Sequence, residues 1–66
     1  MRIEINGQSR DVPGDIKILG LLEYLGFKPM GVVVERNGQI VDREAFESTA
    51  LCENDRLELV RLVGGG

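Results

Sequence analysis

The sequence predicts a two-layer α+β domain in which one main helix covers one face of a mixed sheet of four to five strands. Three observations carry that expectation. Apolar residues alternate from the first position, two Asn-Gly pairs interrupt strand-like runs, and one segment has the apolar spacing of a helix. The chain has 66 residues, enough for one domain; at that size only about 60% of the unfolded surface is buried on folding.

Met1, Ile3 and Ile5 alternate with Arg2, Glu4 and Asn6, the period of a half-buried strand. Asn6-Gly7 suits a two-residue turn that needs positive φ at both positions. A polar return strand over 8–12 should follow, as befits a sheet edge, until Pro13-Gly14 stops it. Ile18, Leu21, Leu22 and Leu25 fall at i, i+3, i+4 and i+7 and share one helical face. Asp15 is the expected N-cap, Gly26 the left-handed C-terminal cap, and Pro29 prevents continuation. Gly20 inside the helix should cost about 1 kcal/mol relative to Ala. Val32, Val33 and Val34 lead into Glu35 and Arg36 as a β-branched strand, and Asn37-Gly38 turns it back through Ile40 and Val41. Asp42 can cap a short helical turn through Glu44, Ala45 and Phe46. The last strand spans 56–62, with Leu57 and Leu59 facing one way and Arg56, Glu58 and Val60 the other. If the N-terminal hairpin and this last strand meet in the sheet centre, the architecture is the β-grasp. A single domain over 1–63 is then followed by a glycine tail over 64–66.

Composition narrows the function. With 42% hydrophobic and 29% charged residues the chain is too apolar for a disordered segment. Its net charge of −3 argues against nucleic acid as a partner. One cysteine and no histidine cannot build a disulfide, an iron–sulfur cluster or a cysteine zinc cage. That usage fits a reducing compartment, so the cytoplasm is the expected location. The polar N-terminus is unlike a signal peptide, and no apolar run approaches the ~20 residues a membrane span needs. With no histidine and no P-loop, the chain reads as something other than a self-contained enzyme, and no metal site is expected. Glu44 and Glu47 share a helical turn and read as a solvated face. Cys52, near Glu53 and Asp55, is expected to be a buried or half-buried packing residue and not a reactive thiol.

The chain ends Leu62-Val63-Gly64-Gly65-Gly66. Glycine ends are commonly frayed tails or cloning remnants. Here they follow directly on the strand expected at the sheet centre, which makes the tail a probe. The five residues from Leu62 to Gly66 extend roughly 17 Å at ~3.4 Å each, and without side chains they can thread a narrow channel. The tail's reactive group is the Gly66 carboxylate. A carboxylate becomes a useful electrophile once its oxygen is made a leaving group. Adenylation by ATP does this, giving a mixed anhydride open to sulfur or amine attack. In the free protein the tail is expected to be mobile.

At this point a resemblance can be stated. The segments Met1-Arg2-Ile3-Glu4-Ile5-Asn6-Gly7, Leu21-Leu22-Glu23-Tyr24-Leu25-Gly26 and Val33-Val34-Glu35-Arg36-Asn37-Gly38-Gln39-Ile40-Val41 resemble the ThiS family. So does Leu57-Glu58-Leu59-Val60 leading into Val63-Gly64-Gly65-Gly66. These are the ubiquitin-like sulfur carriers of bacterial thiazole biosynthesis, and the likeness covers essentially the whole chain. Asn54-Asp55 stands where that family often has Gly-Asp, and the helix start lacks its frequent Thr.

The resemblance implies that a ThiF-like adenylyltransferase activates Gly66 with ATP and Mg, with Gly65 and Gly64 as the flexible approach. Sulfur from a cysteine desulfurase or another donor would then give a thiocarboxylate, and thiazole synthase (ThiG) would take that sulfur into the thiazole of thiamin. The chain itself would bind no cofactor and act as a carrier, monomeric when free. Val33, Val60 and Leu62, on the sheet face away from the helix, would form a docking patch with Val63. Arg56, Glu58 and Arg61 would border it. A MoaD-like carrier for molybdopterin, a protein modifier, and a non-catalytic interaction module are the alternatives.

Overall fold

Alternation and turn chemistry act together at the start of the computed structural model, which describes residues 1–62. Strand β1 (Arg2–Ile5) turns Ile3 and Ile5 into the core and pairs antiparallel with β2 (Gln8–Asp11). Asn6 and Gly7 join them with φ of 50° and 83°, the twist-matching turn their residue types favour. Asn37 and Gly38, at 52° and 87°, do the same between β3 (Val32–Arg36) and β4 (Gln39–Val41). The last strand, β5 (Arg56–Arg61), closes a five-stranded sheet of order β2-β1-β5-β3-β4. It lies parallel to β1 and antiparallel to β3, so the end of the described chain occupies the middle of the sheet.

Helix α1 (Ile18–Leu25) covers one face and buries Ile18, Leu21 and Leu22 against Ile3, Val32, Val34 and Leu57. Gly26 ends it in the left-handed conformation, φ 86°, as the sequence predicts. Gly20 lies where an added Cβ would stand 3.2 Å from Cγ1 of Ile16. The expected N-cap is corrected: Lys17, not Asp15, holds that position, and no side chain caps the helix. The reason is tertiary. The amides of Ile18 and Leu19 donate to the carbonyls of Thr49 and Phe46, at 3.0 and 2.9 Å, and the loop before β5 thereby supplies the acceptors. Asp42 likewise stands before a short 3-10 turn (Arg43–Ala45) without a side-chain cap; its carbonyl accepts the Ala45 amide at 2.9 Å.

Both Asn-Gly turns also hold β5 in register. The Asn6 side chain accepts the Leu59 amide at 2.8 Å and donates to the Leu59 carbonyl at 3.3 Å. This carries the parallel ladder beyond the Ile5–Leu57 pair. Asn37 Oδ1 accepts the Arg56 amide at 2.9 Å, while its Nδ2 donates to Asp55 at 3.0 Å.

Asp55 is the one buried charged residue among the described residues, 5% exposed. It accepts from Arg36 Nε at 2.9 Å and from the Cys52 amide at 2.8 Å. Asn54, at φ 70°, makes the left-handed turn just before it. The expectation for Cys52 is corrected here, because the thiol is exposed. Its amide is captured by Asp55, which tightens 52–55 so that the carboxylate turns inward while Leu51 fills the core.

Two predictions follow from these contacts. Asn6→Gly keeps the positive φ but removes both bonds to Leu59, so it should cost about 1–2 kcal/mol. Denaturant unfolding measures that loss, and faster hydrogen exchange at the Leu59 amide locates it. For Asp55, burial pushes the carboxyl up, yet the Cys52 amide, Asn37 and the Arg36 guanidinium outweigh it and hold the group below its ordinary value. A depressed folded pKa stabilises above the unfolded carboxylate value near ~4, and that contribution is lost as pH falls through the folded value. Asp55→Asn should therefore cost about 1–3 kcal/mol at neutral pH, with the gap to the parent closing as acid is added. Thermal melts of both proteins from neutral pH downward test this; a gap that stays constant with pH would sink it.

Candidate functional site

Because Leu57 and Leu59 turn toward the helix, the intervening residues of β5 emerge on the open face of the sheet. Val60 is 56% exposed there and pairs directly with half-buried Val33 on β3. Leu62, 40% exposed, follows two positions on. Its amide donates to the Gly31 carbonyl at 2.9 Å, so the backbone is held by hydrogen bonds as far as the last described residue. Of the sequence-predicted patch, Val33 and Val60 are thus paired on the open face, and Leu62 stands exposed at the strand's end, where it also borders the helix side. Val63 and the tail Gly64, Gly65 and Gly66 lie outside the described residues.

Two apolar residues near this patch were missed. Ile40 of β4 pairs with Glu35 and is 69% exposed, and Met30 is exposed in the 3-10 turn Pro29–Gly31. For Ile40 a signal existed, since alternation with inward-turned Val41 already points it outward. Glu35 and Glu58 stand directly opposite each other on the same face. No cation lies within ion-pairing distance of either among the described residues, an arrangement that costs folding stability.

Arg56 and Glu58 lie on the open face as expected, and with Glu4 and Glu35 they line a shallow depression. Arg61 is corrected. It shares the parity of Leu57 and Leu59, and its guanidinium lies over the Phe27 ring on the helix side, 4.6 Å from the centroid. There it lines a groove of about 320 Å³ with Gly26, Phe27, Lys28, Gly31 and Leu62. The end of β5 therefore stands between an apolar patch on one face and a cation-bearing groove on the other.

Among the described residues, no three or more His, Cys, Asp or Glu side chains converge as metal ligands. No helix there is long and apolar enough to cross a membrane.

Comparison with known proteins identifies the setting of this geometry. The model of the ThiS family matches residues 3–66. A protein of Magnetococcus marinus named thiazole synthase is 39% identical over the whole chain, and the chain spans about a fifth (20%) of that protein's length. The sulfur carrier protein ThiS of Bacillus subtilis is 46% identical over 35 residues, 53% of each chain. The crystal structure of the thiamine biosynthesis protein ThiS of Geobacter metallireducens superposes with a TM-score of 0.86 at 32% identity, covering 100% of both chains. The mixed sheet, the single covering helix and the family match agree, and the chain belongs to the ThiS family.

Proposed function

We propose that this chain is a sulfur carrier for thiazole formation in thiamin biosynthesis, a protein co-substrate and not a catalyst. The observation that carries the reading is the Gly64-Gly65-Gly66 end, which in sequence follows Val63 and Leu62, the latter bonded to Gly31 just past the central strand, in a chain of the ThiS family. A compact domain supplies the handle, and the side-chain-free arm supplies reach.

In this reading the Gly66 carboxylate attacks the α-phosphate of ATP in a ThiF-like adenylyltransferase, with Mg held by that enzyme, and pyrophosphate leaves. The carbonyl of the resulting acyl-adenylate is attacked by persulfide sulfur from a cysteine desulfurase or an equivalent donor. AMP leaves with the bonding pair, and a thiol reductant cleaves the remaining S–S bond to release the thiocarboxylate. Gly65 and Gly64 let the terminus enter a channel closed to other residues. Ordering such an arm costs about 1–2 kcal/mol per residue, which docking must offset. Val33, Val60 and Leu62, continued by Val63, form the surface for that docking.

Thiazole synthase (ThiG) is proposed as the sulfur acceptor. Two relatives that bear that name, from Magnetococcus marinus and Paramagnetospirillum magneticum, match the whole chain within proteins about five times as long (the chain is 20% of each). Carrier-like and synthase portions within one polypeptide favour this acceptor over molybdopterin or protein conjugation. The reducing cytoplasm is the proposed setting, where an exposed Cys52 stays a free thiol.

The test is the intact mass of the protein from cells starved of thiamin. A gain of one oxygen-to-sulfur exchange on the peptide ending in Gly66 is expected, and deletion of Gly66 should abolish it. Failure of an adenylating enzyme with ATP and Mg to form an acyl-adenylate on the unmodified protein would leave only the interaction-module reading. For the docking surface, Val60→Asp should raise the KM for the carrier roughly tenfold, since a charge desolvated at an apolar contact loses on the order of 1–2 kcal/mol. An unchanged KM would remove Val60 from the interface.

A further inference from the structure

We propose that the groove built by Phe27, Lys28 and Arg61 receives an acidic side chain of the protein that adenylates the carrier, and so sets how tightly this carrier is selected. The inference rests on the sulfur-carrier reading and adds to it a second, electrostatic contact on the face opposite the valine patch.

The first support is how the cations of this chain are used. Arg2 is committed to Asp11 and Arg36 to Asp55. The side chains of Arg10, Lys17 and Arg56 form no ion pair or hydrogen bond among the described residues, and neither do those of Arg61 and Lys28. Arg61 and Lys28 line one groove together although the whole chain carries a net charge of −3. Neither serves the carbonyl end of α1, because the amides of Gly26 and Phe27 already occupy the Glu23 and Leu22 carbonyls at 3.2 and 2.8 Å.

The second is preorganisation. The Arg61 guanidinium lies over the Phe27 ring at 4.6 Å, a cation–π contact that restrains the side chain and uses none of its N–H donors on a protein acceptor. Gly26 and Gly31 line the groove with backbone alone.

The third is position. The groove includes Leu62, the residue from which the tail departs. Four residues beyond it, an extended Gly66 lies roughly 14 Å away at ~3.4 Å per residue. The phosphate of a nucleotide bound at Gly66 is then out of reach of Arg61. An anion at the mouth of the channel that receives the tail belongs to the receiving protein, so the occupant is an Asp or Glu side chain there.

The experiment uses the full chain with its adenylating enzyme, measuring acyl-adenylate formation and the separate KM values for carrier and ATP. Arg61→Gln should raise the carrier KM roughly tenfold and Arg61→Glu further, with kcat within about twofold and the ATP KM unmoved. The excess over the parent should shrink as salt rises. Arg61→Lys, which keeps charge without the fork, should fall between the parent and Gln.

Other outcomes overturn the assignment. An unchanged carrier KM for Arg61→Glu would show that the groove is not a contact. A raised ATP KM would mean that it meets the nucleotide. A lowered carrier KM would mean that it holds this chain's own terminal carboxylate. A loss reproduced by Phe27→Leu at high salt, with an equal drop in melting temperature, would make Arg61 merely structural. Absence of any acyl-adenylate on the parent protein would sink the carrier reading and this inference together.

Discussion

The structure depends on where β5 lies. It is the last element in sequence and the central one in space, parallel to β1 and antiparallel to β3. A strand in that place has no free edge, so its register has to be set by its neighbours. The side chains of Asn6 and Asn37 do much of this, each reaching from a hairpin turn to a main-chain amide of β5. Asp55 fixes the strand entrance by tying Arg36, Asn37 and the Cys52 amide to one buried carboxylate. A slip of one residue would exchange the buried Leu57 and Leu59 for Glu58 and Val60, and would break these side-chain bonds at the same time.

The same register decides what each face offers. Alternation along one strand puts the Val60–Val33 pair on the open face and Arg61 against Phe27 on the covered one. The strand ends where a hydrogen bond from Leu62 to Gly31 is the last described main-chain tie. The placement of Leu62 and the exposure of Val60 and Arg61 on their respective faces are thus one consequence of a single pairing, and a change that loosens β5 would disturb all three.

Much of this was legible because it is local. Asn-Gly turns, the i, i+3, i+4, i+7 leucine stripe and the Gly26 cap each depend on a few neighbouring residues, and all three hold. What escaped depends on residues far apart. Asp15 carries a cap signal, but the Thr49 and Phe46 carbonyls occupy the helix amides first. Hydropathy favours Cys52 for the interior over Asp55. The order reverses because three partners, two of them from the β3–β4 hairpin, satisfy the carboxylate. The Asn6 bonds to Leu59 span 53 residues and leave no trace in either local pattern. Arg61 differs, because its parity with Leu59 already placed it on the helix side. Its partner Phe27, just past the helix cap, was the piece that local reading did not connect. The tail carries the strongest functional signal in sequence and lies outside the described residues.

A domain this small has little interior in which to build a catalytic pocket, and its buried carboxylate Asp55 is spent on holding the start of β5. On the proposed reading the chemistry is displaced to the main chain beyond the fold, where a glycine carboxylate needs no local environment until a partner provides one. This separates two demands that conflict in an enzyme. The core can be packed for rigidity, with Ile18, Leu21, Leu22 and Val34 fully buried, while the reacting end stays free of side chains. Ordering that end on a partner costs conformational entropy, and a single weak patch would offset little of it. If both proposed surfaces are contacts, they would hold the strand from two directions, and the arm would enter a channel only with the domain correctly oriented behind it.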